Sequence, residues 1–175
     1  MPRRYLAFML LTTACGAAGP EQSAAPERRP LASVAFVYTA VDGSELSSAT
    51  TRGRATAILY LTTFDLASQL MARRLDAVLR RHVPRANGGA IVLEPPKYLV
   101  MAQAFQSSMQ LSYPVAMAEE FGERLTPFGH IDRVPTLIVL DRSGVEVERF
   151  VGVVAEDAVQ AALASGSKRG FSLAP

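Results

Sequence analysis

Thiols are the scarcest reactive groups in this sequence. Among 175 residues there is one cysteine, Cys15, and it lies close to the N-terminus. A single thiol cannot close an intramolecular disulfide, so neither a disulfide framework nor dithiol–disulfide exchange within the chain is available. Tryptophan is absent, and only two histidines occur, His82 and His130. Zinc and copper sites usually take three or four protein ligands rich in thiolate and imidazole, so no metal is expected here. No apolar run reaches the ~20 residues that span a bilayer as a helix. An excess of positive charge is missing too. Without Arg3 and Arg4, sixteen basic residues face sixteen acidic ones, and a neutral chain lacks the electrostatic drive toward phosphate backbones. Nucleic acid is therefore not an expected partner.

What remains is an ordinary globular composition, 49% hydrophobic and 19% charged, sufficient for one domain with its own core. Its N-terminus is separately organised. Arg3 and Arg4 precede an apolar stretch from Tyr5 to Leu11, and small residues lead to Ala14. That is the order of a secretory signal, and the cysteine directly after Ala14 makes it resemble a bacterial lipoprotein signal over residues 1–14. The resemblance implies lipidation of Cys15 and attachment to a membrane through acyl chains. The alternatives are a frayed N-terminus of a cytosolic protein with an incidental cysteine, or twin-arginine export. The segment that follows, 15–32, carries three prolines between Gly16 and Pro30 and no large apolar cluster. It cannot bury enough surface to offset its ordering entropy and reads as a flexible tether.

From residue 33 the pattern changes. Ser33–Thr39 reads as a strand, with a turn at Asp42-Gly43. Thr56–Thr62 and Ala90–Leu93 are short continuous apolar runs, which fit strands buried on both faces. Between them Leu66, Leu70, Leu75, Val78, Leu79 and His82 share one helical face, with Arg73, Arg74, Arg80 and Arg81 largely elsewhere. Tyr98, Ala102, Phe105 and Met109 mark a second helix. Tyr113–Met117 reads as a strand, Ala118–Arg124 as a helical turn, Thr136–Leu140 and Val145–Val151 as a hairpin, and Ala155–Ala164 as a closing helix. The expected domain is 33–165, followed by a disordered tail over 166–175. Strands alternating with helices predict a three-layer α/β/α sandwich around a central mixed sheet.

Three segments carry a family resemblance: Arg52-Gly53-Arg54 before the buried strand, Tyr60 to Ser68 at the strand-to-helix junction, and Arg133-Val134-Pro135-Thr136 running into Asp141, Gly144 and Arg149-Phe150-Val151-Gly152. Together they resemble the thioredoxin-like fold, and within it the periplasmic redoxins of the TlpA/ResA type, over roughly Ser33 to Leu163. In that group an aromatic residue and Cys-x-x-Cys occupy the junction. By this resemblance Phe64 takes the aromatic position, Asp65 replaces the nucleophilic cysteine, Ser68 replaces the resolving one, and Pro135 matches the family's cis-proline.

The chemistry of the family needs a thiolate at a helix N-terminus and a second thiol to resolve the mixed disulfide. Neither Asp65 nor Ser68 supplies one. Asp65 is expected instead as a helix N-cap, with its carboxylate kept ionised and so of little use as a general acid or base. No catalytic residue and no cofactor is expected. The resemblance implies a binding groove formed by Phe64, Asp65, Val134 and Pro135, taking a protein or peptide partner, in a membrane-anchored lipoprotein of a bacterial cell envelope facing the periplasm. The alternatives are an oxidoreductase that borrows a partner's thiols, or a metal carrier using His130. The arginines of the first helix are read as a solvated face, with anionic docking as the alternative.

Overall fold

The computed structural model describes residues 32–118 and 125–169, so the expectations for the leader, for Cys15, for most of the tether and for residues 119–124 and 170–175 lie outside the described residues. The chain begins with a hairpin, β1 (Val37–Thr39) and β2 (Glu45–Ser47), followed by one turn of helix, α1 (Ser48–Thr51). Gly43 makes the hairpin turn with φ +83°, a conformation that glycine enters without strain. The central elements follow: β3 (Thr56–Leu61), α2 (Leu66–Arg81), β4 (Asn87–Val92), α3 (Leu99–Met109) and β5 (Val115–Met117). After the short pair β6 (Leu125–Thr126) and β7 (Gly129–His130) come β8 (Thr136–Leu140), β9 (Glu146–Val151) and α4 (Glu156–Lys168).

Five strands form one mixed sheet in the order β5-β4-β3-β8-β9, with β5, β4 and β3 mutually parallel, β8 antiparallel to β3 and β9 antiparallel to β8. Alternation along β3 shows why its sequence is apolar from Ala57 onward. Ala57, Leu59 and Leu61 join the core beneath α2, α3 and α4, whereas Ile58 and Tyr60 join a second core with Phe36, Tyr38, Leu46 and Phe128. A strand covered on both faces has no solvent side on which to place polar groups. Among the described residues, the second face is covered by the β1–β2 hairpin and the Phe128–Ile131 stretch.

Two expectations need correction. The helix α4 runs to Lys168, so the boundary placed at 165 falls inside it. Gly166 explains the extension, because a Cβ there would lie 3.0 Å from the Leu140 carbonyl oxygen and 3.3 Å from Ala55 Cβ. Its missing side chain lets the last turn close onto the sheet. The stripe assigned to α2 is also turned at its start. Ser68, Met71, Ala72, Leu75 and Val78 are buried, while Leu66 is 78% exposed and Leu70 is 42% exposed. Small residues face the sheet where the helix leaves β3, and the two leucines are left outside.

Candidate functional site at the β3–α2 junction

The turn after β3 is held by its own side chains. Asp65 is the N-cap of α2 with extended backbone angles (φ −90°, ψ 124°). Its Oδ1 accepts from the Ala67 amide at 3.3 Å, and its Oδ2 accepts from the Ser68 amide at 2.8 Å and from the Ser68 hydroxyl at 2.7 Å. Ser68 is fully buried, and its Oγ also accepts from the Thr62 amide at 3.4 Å. The two positions matched to the family's thiols are thus bonded to each other. Desolvation pushes the Asp65 carboxyl up, but the hydrogen bonds from the Ser68 hydroxyl, the Ser68 amide and the Ala67 amide outweigh it and hold the group below its ordinary 3.8. An acid that stays ionised near neutrality makes a cap, not a proton donor.

Neither histidine is bonded to Ser68, and its acceptor Asp65, held below its ordinary pKa, is too weak a base to take its proton. His82 caps the far end of α2 and is buried, with neither ring nitrogen hydrogen-bonded; burial pushes its pKa down. His130 is exposed, and its Nδ1 lies 2.7 Å from Asp132 Oδ1. Among the described residues no group of three or more His, Cys, Asp or Glu side chains is arranged to hold a metal ion.

Register brings the second segment to the same end of the sheet. Tyr60 pairs with Thr136 across the antiparallel β3–β8 ladder, so the chain leaving β3 and the chain entering β8 emerge side by side. The Val134–Pro135 peptide is cis, as the resemblance implied; so is Val83–Pro84, which the sequence did not signal. Pro135 is buried, and its carbonyl accepts from the Gly152 amide at 2.7 Å. Val134 is half-buried against the Phe36–Tyr60–Phe128 core. Of the four residues assigned to the groove, Phe64 at 61% exposure presents the most apolar surface. A cavity of about 550 Å³ flanks the β8 approach, lined by His130, Asp132, Arg133, Thr136, Arg149 and Val151.

The sequence reading missed Glu94. It follows β4 and is only 4% exposed, and both carboxylate oxygens accept from the Thr63 hydroxyl at 2.9 Å, while Oε1 also accepts from the Thr63 amide. Gln69 donates to the Thr63 carbonyl at 2.9 Å. Thr63, one residue before Phe64, is thereby fixed by donors and acceptor alike. A lone acid closing an apolar strand ahead of Pro95-Pro96 was the available signal. Tyr98 was legible only as a helix residue; it packs edge-on against Phe64, with ring centroids 5.6 Å apart. Close in sequence to this pair, Leu66 and Leu70 on α2 and Leu99, Val100 and Met101 at the start of α3 are also exposed; a contiguous apolar surface is a mark of an interaction site.

The α2 arginines are mostly committed within the chain. Arg74 donates to the Val154 carbonyl at 2.7 Å, Arg80 pairs with Asp76 at 2.6 Å, and Arg81 pairs with Glu156. That supports a structural face over a docking one.

No protein-family model matches the chain, and no curated protein matches it. Solved structures do. A thiol:disulfide interchange protein of the thioredoxin family from Chlorobium tepidum is 23% identical with a TM-score of 0.66, covering 80% of this chain and 98% of its own. StoA from Bacillus subtilis is 17% identical with a TM-score of 0.60, over 76% and 98%. The pneumococcal exposed lipoprotein thioredoxin from Streptococcus pneumoniae is 15% identical with a TM-score of 0.63, over 75% and 98%. Likeness at these identities is one of fold, and the fold is thioredoxin-like.

Proposed function

We propose that this chain is an exported, lipid-anchored thioredoxin-like domain that binds a protein or peptide partner without catalysing thiol exchange, in a bacterial cell envelope. The observation that carries the reading is the closed Asp65–Ser68 pair at the position where the fold would hold two thiols, set within an exposed apolar surface centred on Phe64. The cap keeps the turn, and the hydrogen bonds leave no nucleophile. An extended segment would lie beside Val134 and Pro135, by main-chain pairing of the strand-addition type, with Phe64 and its neighbours supplying apolar contact. Two further points support export. The leader through Ala14 has the secretory order with Cys15 next, and one solved neighbour is described as an exposed lipoprotein.

The test is a photo-crosslinker placed at Phe64 in native membranes, with and without Val134→Asp. Crosslinked partners that disappear with Val134→Asp support the groove; the same partners at the same yield sink it. A second reading draws on the solved neighbours described as thiol:disulfide proteins: redox turnover with thiols lent by a partner. Insulin reduction or peroxide consumption by the full chain with a supplied dithiol reductant, above a no-protein control holding the same reductant, would favour that reading instead.

A further inference from the structure

The opposite end of the sheet carries a different kind of surface. Where Thr56 pairs with Leu140, the loops before β3, before β4 and after β8 meet the last turn of α4. They enclose a cavity of about 370 Å³ whose lining includes Arg54, Arg85, Arg142 and Ser167 and, among the described residues, no acidic side chain. Arg142 is anchored: its Nε donates to the Gly53 carbonyl at 3.1 Å, and its own carbonyl accepts from the Gly53 amide at 2.9 Å. The guanidinium groups of Arg54 and Arg85 have no hydrogen bond or ion pair among the described residues, although both also line a second cavity of about 470 Å³ beside Glu45 and Arg80. Arg74, Arg80, Arg81 and Arg149 are tied down by partners elsewhere in the chain; what distinguishes Arg54 and Arg85 is that they share one concavity with Arg142.

We propose that Arg54, Arg85 and Arg142, with the Ser167 hydroxyl, form a binding site for a phosphate group. The chemistry favours that class of ligand. Guanidinium forks match the oxygens of phosphate in bidentate geometry, and several forks around one concavity suit a tetrahedral, multiply charged anion better than a single carboxylate. The C-terminal ends of α2 and α4 also face this side and attract basic side chains through the helix dipole, which accounts for Arg80, Arg81 and Lys168. It does not account for Arg54, Arg85 and Arg142, which come from loops. The phosphate has two possible sources, a soluble phosphate compound or a lipid headgroup. The lipid source gains from topology: the chain enters the domain at this end, with the Val34 amide donating to the Gly144 carbonyl at 3.0 Å, two residues from Arg142.

The experiment uses the full chain carrying Cys15→Ser, so that no acyl chain confuses membrane attachment. Inorganic phosphate is titrated by calorimetry at low salt, and flotation is measured with phosphatidylglycerol-containing vesicles against pure phosphatidylcholine vesicles. Arg54→Gln/Arg85→Gln is expected to weaken binding roughly tenfold or more, the scale of losing charge-assisted hydrogen bonds. A control pair of equal charge change away from this end, Arg73→Gln/Arg133→Gln, stays within about twofold because screening limits distant charges. Arginine-dependent heat with inorganic phosphate supports the site, and arginine-dependent flotation supports it while assigning the lipid source. Absence of both signals overturns the proposal, as does equal loss in the control pair. Single Arg85→Gln is read in the same way if the double variant loses its far-ultraviolet circular dichroism.

Discussion

Replacing Asp65 by alanine is the perturbation whose size follows most directly from the junction. The substitution deletes the acceptor of three hydrogen bonds, from the Ala67 amide, the Ser68 amide and the Ser68 hydroxyl. Loss of an Asp cap costs about 0.5–2 kcal/mol. The Ser68 hydroxyl, fully buried, then loses the acceptor to which it donates, and an orphaned buried donor adds about 1 kcal/mol or more. A total near 2 kcal/mol lowers the melting temperature by roughly 4–8 °C for a domain of this size. Because the folded-state carboxyl titrates below its ordinary 3.8, its contribution is fully present above that value and is lost as pH falls through the lowered one. The gap between wild type and Asp65→Ala therefore holds from neutrality to about pH 4 and narrows below it. Adding Ser68→Ala to Asp65→Ala removes the orphaned hydroxyl, so the two losses are less than additive. Melting curves followed by circular dichroism, at several pH values, check all three points. A melting temperature unmoved in Asp65→Ala would refute the cap, and a gap that persists unchanged at the lowest pH would refute its ionised state.

Other expectations are read from melting curves as well. Glu94→Leu leaves the buried Thr63 amide and hydroxyl without their acceptor and costs about 1–3 kcal/mol; unchanged stability would remove Glu94 from the junction. His82 is held neutral by burial, below its ordinary 6.5, so the unfolded chain takes up the proton first and stability falls as pH drops below about 6.5. His82→Leu flattens that slope, and an equal slope in both proteins contradicts the buried neutral ring. Gly166→Val drives a side chain into the Leu140 carbonyl and Ala55 and destabilises by about 1–3 kcal/mol; a neutral effect would mean that the last turn of α4 does not dock as described.

The parts of this fold that were legible in the sequence are those where one physical requirement dominates. A strand covered on both sides must be apolar at every position, so β3 and β8 stood out as runs. A helix start needs a cap, and Asp65 supplied one. The Val134–Pro135 segment was legible through its company, the hairpin and Gly152 that follow. The rest depends on contacts between distant segments. Leu66 and Leu70 fit the helical period of the core, yet Ser68 is drawn inward by Asp65 and the leucines face solvent. Glu94 owes its role to Thr63, thirty-one residues away, which no local pattern encodes. The extension of α4 depends on how closely Gly166 approaches the end of β8, and polar small residues near a C-terminus read as tail when that approach is unseen.

Placing two thiols at the junction tests the proposed reading most directly. Asp65 and Ser68 already direct their side chains at each other, with oxygens 2.7 Å apart, across the i to i+3 spacing of a Cys-x-x-Cys pair. Asp65→Cys/Ser68→Cys is therefore predicted to lose both free thiols on mild oxidation, forming one intramolecular disulfide by mass spectrometry, and in its reduced form to reduce insulin where wild type does not. Two thiols that stay free under oxidation, or that pair only between molecules, would contradict the claim that this turn is a redox centre emptied of its sulfur.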